Sequence, residues 1–239
     1  MNHGLQRAKS AKTRQEHEFK DSVDSKCFPA DTLIFTTSGT KRISDVQVGD
    51  YLSTTCGFSS VYLLAHTKHD IKTTFVEITT DSQHIVQLSP LHYIKVNGHY
   101  SCAKNVKLGD SLAVRINRMN HTSLTYQEAR VTEVREVEKT GLYSPFTMCG
   151  DIEVVSNEMN SGVIASIYSD WFLEGLGVDP STIPGIYHML LTPLRLVHDK
   201  YPEWTWNFAS YFQDSEKSLH QEGVGKLIAA GIATTLSIL

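Results

Sequence analysis

The chain has 239 residues, 41% hydrophobic and 20% charged, with a formal net charge of −4 at pH 7. That length is roughly 1.6 typical domains and supports a core without metals or disulfides, and the composition excludes a wholly disordered chain. An acidic balance offers no footprint for a phosphate backbone, so no nucleic-acid partner is expected.

Residues 1–26 mix charges of both signs with few apolar side chains and read as a flexible leader. They lack the apolar stretch of a secretory signal. Localisation is left unassigned, secretory or extracellular if a signal peptide lies upstream; the sequon Asn120-His121-Thr122 matters only in that case. Character changes at Cys27-Phe28-Pro29-Ala30-Asp31-Thr32. From there to Tyr168, short apolar segments rich in Val, Ile, Thr and aromatics alternate with turns: 32–35, 61–65, 75–79, 84–88, 92–96, 111–116, 130–138 and 162–168. The pattern predicts a mainly β domain.

An internal repeat sharpens this. The segment Ser44-Asp45-Val46-Gln47-Val48-Gly49-Asp50-Tyr51-Leu52 matches Lys104-Asn105-Val106-Lys107-Leu108-Gly109-Asp110-Ser111-Leu112, a step of 60 residues. Two copies are too few for a solenoid and suit a pseudo-twofold β fold. Asp50 and Asp110 are read as turn formers rather than catalysts, because Gly-Asp turn chemistry already accounts for them.

After Tyr168, Ile183, Ile186, Tyr187, Leu190, Leu191, Leu194 and Val197 recur at helical spacing, so a helical C-terminal extension is expected. Ser181 or Thr182 is expected to cap it, Pro184 to sit in its first turn, and Pro193 to break it, with Thr192 capping the second piece. The stretch 223–239 is nearly all apolar apart from Lys226. It reads as a packed helix, with weak membrane contact as the alternative.

The four cysteines, Cys27, Cys56, Cys102 and Cys149, form no C-x-x-C pair, which removes zinc-ribbon and thioredoxin readings, and they are too few for a disulfide scaffold. Cys56, Cys102 and Cys149 are expected to be small buried residues. His69, His84 and His99 show no metal-ligand spacing with Cys56 or Cys102, so neither a metal nor another cofactor is expected. Cys27 stands differently, at the junction of leader and β domain.

Cys27-Phe28, then the Gly-Asp turn, then Ser89-Pro90-Leu91-His92, then Ala165-Ser166-Ile167-Tyr168 resemble in order the Hint module of hedgehog proteins and inteins, most closely the hedgehog branch. The resemblance covers about 27–170 and extends more loosely to about 200. It implies a Hint fold with three regions: a leader, 1–26, released by cleavage; an autoprocessing domain, 27–169; and an extension, 170–239, that presents a sterol or only packs. It also implies self-cleavage through a thioester. Cys27 would attack the carbonyl of Lys26, across the scissile Lys26–Cys27 bond, in an N-to-S acyl shift. His92 would protonate the departing amine, and Ser89 would bond the scissile amide or orient the ring.

In the second step the upstream segment, a substrate in cis, passes in animal hedgehogs to the hydroxyl of cholesterol with help from a carboxylate. Here His66 aligns with that carboxylate and would serve as base. The acceptor is accordingly a sterol, another lipid alcohol or water. The chain departs from the family pattern at Lys26 for glycine, Ser89 for threonine and Ile167 for cysteine. Trp171, Phe172, Leu173, Ile183, Ile186, Tyr187, Leu190 and Leu191 would line a sterol surface or, alternatively, pack on the sheet. Three further alternatives are weaker. Simple hydrolysis ends the same chemistry in water. Splicing would need more than Asn160-Ser161, which follows Met159 rather than histidine. A silent binding module conflicts with intact Cys27, Ser89 and His92.

Overall fold

The 60-residue repeat is a pair of superposable turns in the computed structural model, which describes residues 27–116, 125–156, 161–170 and 173–202. Several expectations therefore lie outside the described residues: the leader with Lys26, the sequon, Met159 and Asn160, Trp171 and Phe172, and the stretch 223–239. In the first turn a short 3-10 helix, Ile43–Asp45, leads to Gly49 at φ +93°; in the second, Ala103–Asn105 leads to Gly109 at φ +88°. Such φ values cost glycine nothing. The Asp50 carboxylate accepts the Gln47 N–H and the Asp110 carboxylate accepts the Lys107 N–H, both at 2.8 Å. Each aspartate thus closes its own turn.

Two similar halves surround these turns. The first holds β1 (Leu33–Thr36), β2 (Gly39–Arg42), β3 (Tyr51–Thr54) and β4 (Gly57–Thr80), followed by β5 (Ile85–Leu88). The second holds β6 (His92–Val96), β7 (His99–Cys102), β8 (Ser111–Ile116) and β9 (Thr125–Thr147), followed by β10 (Asp151–Val155) and β11 (Gly162–Ser169). Leu33 faces Arg42 in one half where Tyr93 faces Cys102 in the other, so strand pairing keeps the 60-residue step. The halves join through antiparallel β4 and β9, and β10 and β11 tie β1 back to β6. The mainly β, pseudo-twofold architecture expected from the repeat is the one observed.

The segments 61–65 and 75–79, read separately, are two ends of the single strand β4. Between them, residues such as Lys68, His69 and Asp70 lose the apolar alternation because that part of the ribbon is solvent-facing, while pairing with β9 keeps it extended. Strands β2, β3, β7 and β10 carried no readable pattern. β2 is almost wholly exposed, and β10 buries two carboxylates. The buried Glu153 is held by Arg115 Nη1 at 3.0 Å and by the Ser53 hydroxyl at 2.7 Å, as a buried charge requires.

The expectation of three buried, unreacted cysteines is corrected. Cys56, in the exposed turn before β4, is disulfide-bonded to Cys149, in the turn after β9, with a Cα–Cα distance of 6.0 Å; Cys102 alone of the three is buried as a thiol. The pairing of β3 and β4 and of β4 and β9 brings both turns to one end of the sheet, a convergence no local spacing announces. There the Cys149 N–H donates to Ser59 Oγ at 3.0 Å and the Thr55 N–H to Asp151 Oδ1 at 2.8 Å. Because the bridge spans 93 residues, replacing both cysteines by serine is expected to lower stability by roughly 2–5 kcal/mol. Chemical denaturation without reductant checks this; an unchanged unfolding free energy would contradict it.

The extension forms α1 (Ile183–Leu190) and α2 (Thr192–Lys200), broken at Leu191 ahead of Pro193, with Pro184 in the first turn of α1. The expected caps do not form. The Thr182 hydroxyl donates to the Asp179 carbonyl, and that of Thr192 reaches back to the His188 carbonyl. Ile183, Tyr187, Leu191, Leu194 and Val197 are buried, and the first four share the core of the sheet, so the helical stripe is a packing face. Tyr187 lies 6.2 Å from the Tyr168 ring of β11, and Tyr168 bonds His188 at 2.8 Å. Ile186, Leu190 and Leu173 are half-buried, and Met189 and Leu196 face solvent. Among the described residues no helix is long and apolar enough to cross a membrane.

Candidate active site

Cys27 enters the sheet just ahead of β1. Phe28 exchanges both backbone hydrogen bonds with Tyr143 of β9, at 2.9 and 3.0 Å. On its other side Cys27 is gripped twice by one residue: its N–H donates to Ser89 Oγ at 2.9 Å, and its carbonyl accepts the Ser89 N–H at 3.0 Å. That N–H belongs to the Lys26–Cys27 peptide bond. Ser89 is placed by a tight turn, Ser89-Pro90-Leu91-His92, closed by the His92 N–H on the Ser89 carbonyl at 3.0 Å. Proline at the second position suits such a turn. The Ser-x-x-His spacing thus has a local cause: four residues of turn put a hydroxyl against the peptide and start β6 with the imidazole.

The His92 ring lies edge-on to Phe28, with centroids 4.4 Å apart. Its Nε2 stands 2.7 Å from the Ser166 carbonyl, an acceptor only, so Nε2 carries the proton. Nδ1 is then the bare nitrogen, and it accepts from the Ser169 hydroxyl at 3.0 Å. Both serines come from β11, which pairs with β6 irregularly between Ala165 and Ser169, so that Ser169 faces His92. Cys27, Ser89 and His92 are each 0% exposed. Burial pushes His92 down from 6.5 to about 4, against a smaller upward pull from the Ser166 carbonyl, so the ring is neutral at physiological pH.

His66 is half-buried on β4, at an irregularity between Leu64, which faces Pro145, and Thr67, which faces Tyr143. Tyr143 also bridges Phe28 on its other edge. Carrying both antiparallel registers one residue further aligns Cys27 with Ser144, and Ser144 with the Ala65-His66 bulge. His66 therefore sits two strands from Cys27, about 10 Å away at the backbone. The structure joins Cys27 to Ser89 directly and Ser89 to His92 through one turn, and leaves His66 two strands away; Lys26 lies outside the described residues.

Ser169, Phe28 as a ring partner, and the Ser166 carbonyl are site features that sequence reasoning missed or left without a role. Ser169 is 77 residues from His92, and only the pairing of β6 and β11 joins them. The other histidines go elsewhere. His69 Nδ1 bonds Tyr143 at 2.5 Å, and His84 lies between Ser82 at 2.9 Å and Ser161 at 2.7 Å. Among the described residues no three His, Cys, Asp or Glu side chains converge as metal ligands.

The Hint module family model matches residues 15–216. Among characterised proteins the chain is similar to Warthog protein 6 of Caenorhabditis elegans, 29% identical over 63% of this chain and 25% of that protein. It is also similar to Warthog protein 1 of the same organism, 28% identical over 62% of this chain and 32% of that protein. The matched segment thus spans only a quarter to a third of these relatives. Among solved structures, a bacterial intein-like domain from Clostridium thermocellum aligns with 59% of this chain and 98% of its own, at 16% identity and a TM-score of 0.45. The DnaX mini intein from Spirulina platensis aligns with 58% of this chain and 98% of its own, at 13% identity and a TM-score of 0.45. With the family model spanning most of its length, and the motif residues Cys27, Ser89 and His92 gathered at one buried centre, this chain belongs to the Hint module family of autoprocessing domains.

Proposed function

We propose that this domain cleaves its own chain before Cys27. The single observation that supports this most is the two-way grip of Ser89 on Cys27, which pins the nitrogen of the Lys26–Cys27 bond to the four-residue turn that also carries the buried, neutral His92. In the first step the Cys27 sulfur bonds to the Lys26 carbonyl carbon and its proton passes to Nδ1 of His92. The tetrahedral intermediate then expels the Cys27 nitrogen, which takes that proton from the imidazolium. A thioester and a free amine result, with no net proton gain or loss. Burial makes the transient imidazolium a strong acid, which favours handing the proton on. Ser89 holds the peptide nitrogen in place throughout, so the proton has a fixed destination.

In the second step an alcohol adds to the thioester carbonyl, His66 takes the hydroxyl proton, and the Cys27 sulfur leaves and is reprotonated. The upstream segment departs as an ester, its acceptor a sterol or another lipid alcohol. The half-buried setting of His66, two strands from Cys27, supports the assignment of base. A second reading, release by water, is favoured by the presence of histidine where the hedgehog branch carries a carboxylate. Incubating the protein with and without cholesterol and weighing the released 1–26 piece separates the two. Sterol transfer is expected to add the mass of cholesterol less one water, whereas hydrolysis leaves a free acid. In His66→Ala the thioester is expected to form at the unaltered rate while transfer slows; loss of thioester formation would overturn the division of roles.

A further inference from the structure

We propose that Ser169 is a positioning residue of the first step: the Ser166 carbonyl sets the His92 tautomer, and the Ser169 hydroxyl holds the ring through Nδ1, the nitrogen that receives the thiol proton; this rests on the function proposed above. An imidazole working as a base must keep one chosen nitrogen bare, and in a buried site that choice is made by the groups around the ring. Here the two sides are set by different means. The Ser166 carbonyl cannot change its role and demands a proton on Nε2 at 2.7 Å. The Ser169 hydroxyl, at 3.0 Å from Nδ1, supplies the complementary donor. Ser169 is itself almost fully buried, so water does not readily replace it. It faces His92 directly across the β6–β11 pairing because the register shifts between Ala165 and Ser169, while the next residue, Asp170, ties its N–H to the Leu91 carbonyl at 2.9 Å. The pairing with His92 and the Asp170 backbone bond thus hold Ser169 against the ring. The hydroxyl is also a reversible ligand: it donates to bare Nδ1 before the reaction and can turn aside to accept when Nδ1 is protonated, so it keeps the nitrogen in place without blocking it.

Removing the hydroxyl leaves Nδ1 buried with no donor and loosens the ring, while the Ser166 carbonyl still holds the proton on Nε2. Two measurements test the proposal. In a Cys27→Ala background, where no chemistry interferes, the ring nitrogens of His92 are observed by NMR with Ser169 intact, as Ser169→Ala and as Ser169→Thr. With Cys27 present, thioester formation is timed in the same three forms by hydroxylamine release of residues 1–26. Ser169→Ala is expected to leave Nε2 protonated but to shift and broaden the Nδ1 resonance, and to slow thioester formation about 10-fold; Ser169→Thr is expected to restore both. A slowed reaction with the Nδ1 resonance unchanged would make Ser169 merely structural and overturn the proposal, as would an altered Nδ1 resonance at full rate. If the protein with Ser169 and Cys27 intact releases no hydroxamate, the self-cleavage reading itself fails, while the NMR series still reports whether Ser169 holds Nδ1.

Discussion

Cys27→Ala is expected to abolish release of residues 1–26. The acyl shift needs a nucleophile attached to the residue whose nitrogen leaves, and alanine offers none. Loss of a nucleophile costs on the order of 10⁶-fold in rate where it has been isolated, which here means no detectable fragment. The substitution removes only a small buried side chain from a minor cluster with Phe75 and Leu142, so the fold is expected to survive and the backbone grip of Ser89 to persist. Electrophoresis and intact mass follow the outcome. Continued cutting before residue 27 in this variant would reject the thioester route.

The second large effect is expected at His92. Replacement by glutamine removes the base that receives the thiol proton and should slow thioester formation by about 10²–10⁴-fold. It should also change how stability responds to acid. Burial holds His92 near 4 in the fold against 6.5 when exposed, so between those values the unfolded chain binds a proton that the folded chain refuses. Stability is therefore complete above about pH 6.5 and is lost as pH falls toward 4, by about 3 kcal/mol from this one group. His188 is pushed down similarly, by burial first and by Arg195 second. His92→Gln should thus shallow the acid loss without erasing it. Denaturation at pH 7 and pH 4.5 measures the difference, and identical pH dependence in both proteins would contradict the burial argument. The same state of His92 sets the reaction's acid limb: thioester formation should slow as pH falls toward 4 and the base becomes protonated.

What could be read from the sequence was what local chemistry determines. The Gly49-Asp50 and Gly109-Asp110 turns were legible because each closes on itself, aspartate to the backbone three residues earlier. Ser89 and His92 were legible because one four-residue turn separates them. The helical stripe beginning at Ile183 declared its own buried face, and the break before Pro193 followed from proline geometry. What stayed hidden depends on pairing between distant segments. The Cys56–Cys149 bridge joins turns that only the sheet brings together. Ser169 reaches His92 across strands. The middle of β4 is polar and extended only because β9 lies beside it. Glu153 and Asp151 in a buried strand contradicted simple alternation, since their charge is met by Arg115, Ser53 and Thr55 from elsewhere in the fold.

The claim at the centre is that the sulfur of Cys27 takes over the acyl group of Lys26. Hydroxylamine at neutral pH tests it most directly, because under those mild conditions it attacks a thioester far faster than any peptide bond. The purified chain is expected to release residues 1–26 carrying a hydroxamate on Lys26, together with a remainder that begins at Cys27 with a free amine. A chain that keeps residues 1–26 under hydroxylamine, whether whole or cut only elsewhere as at the hydroxylamine-labile Asn97-Gly98 bond, would contradict it.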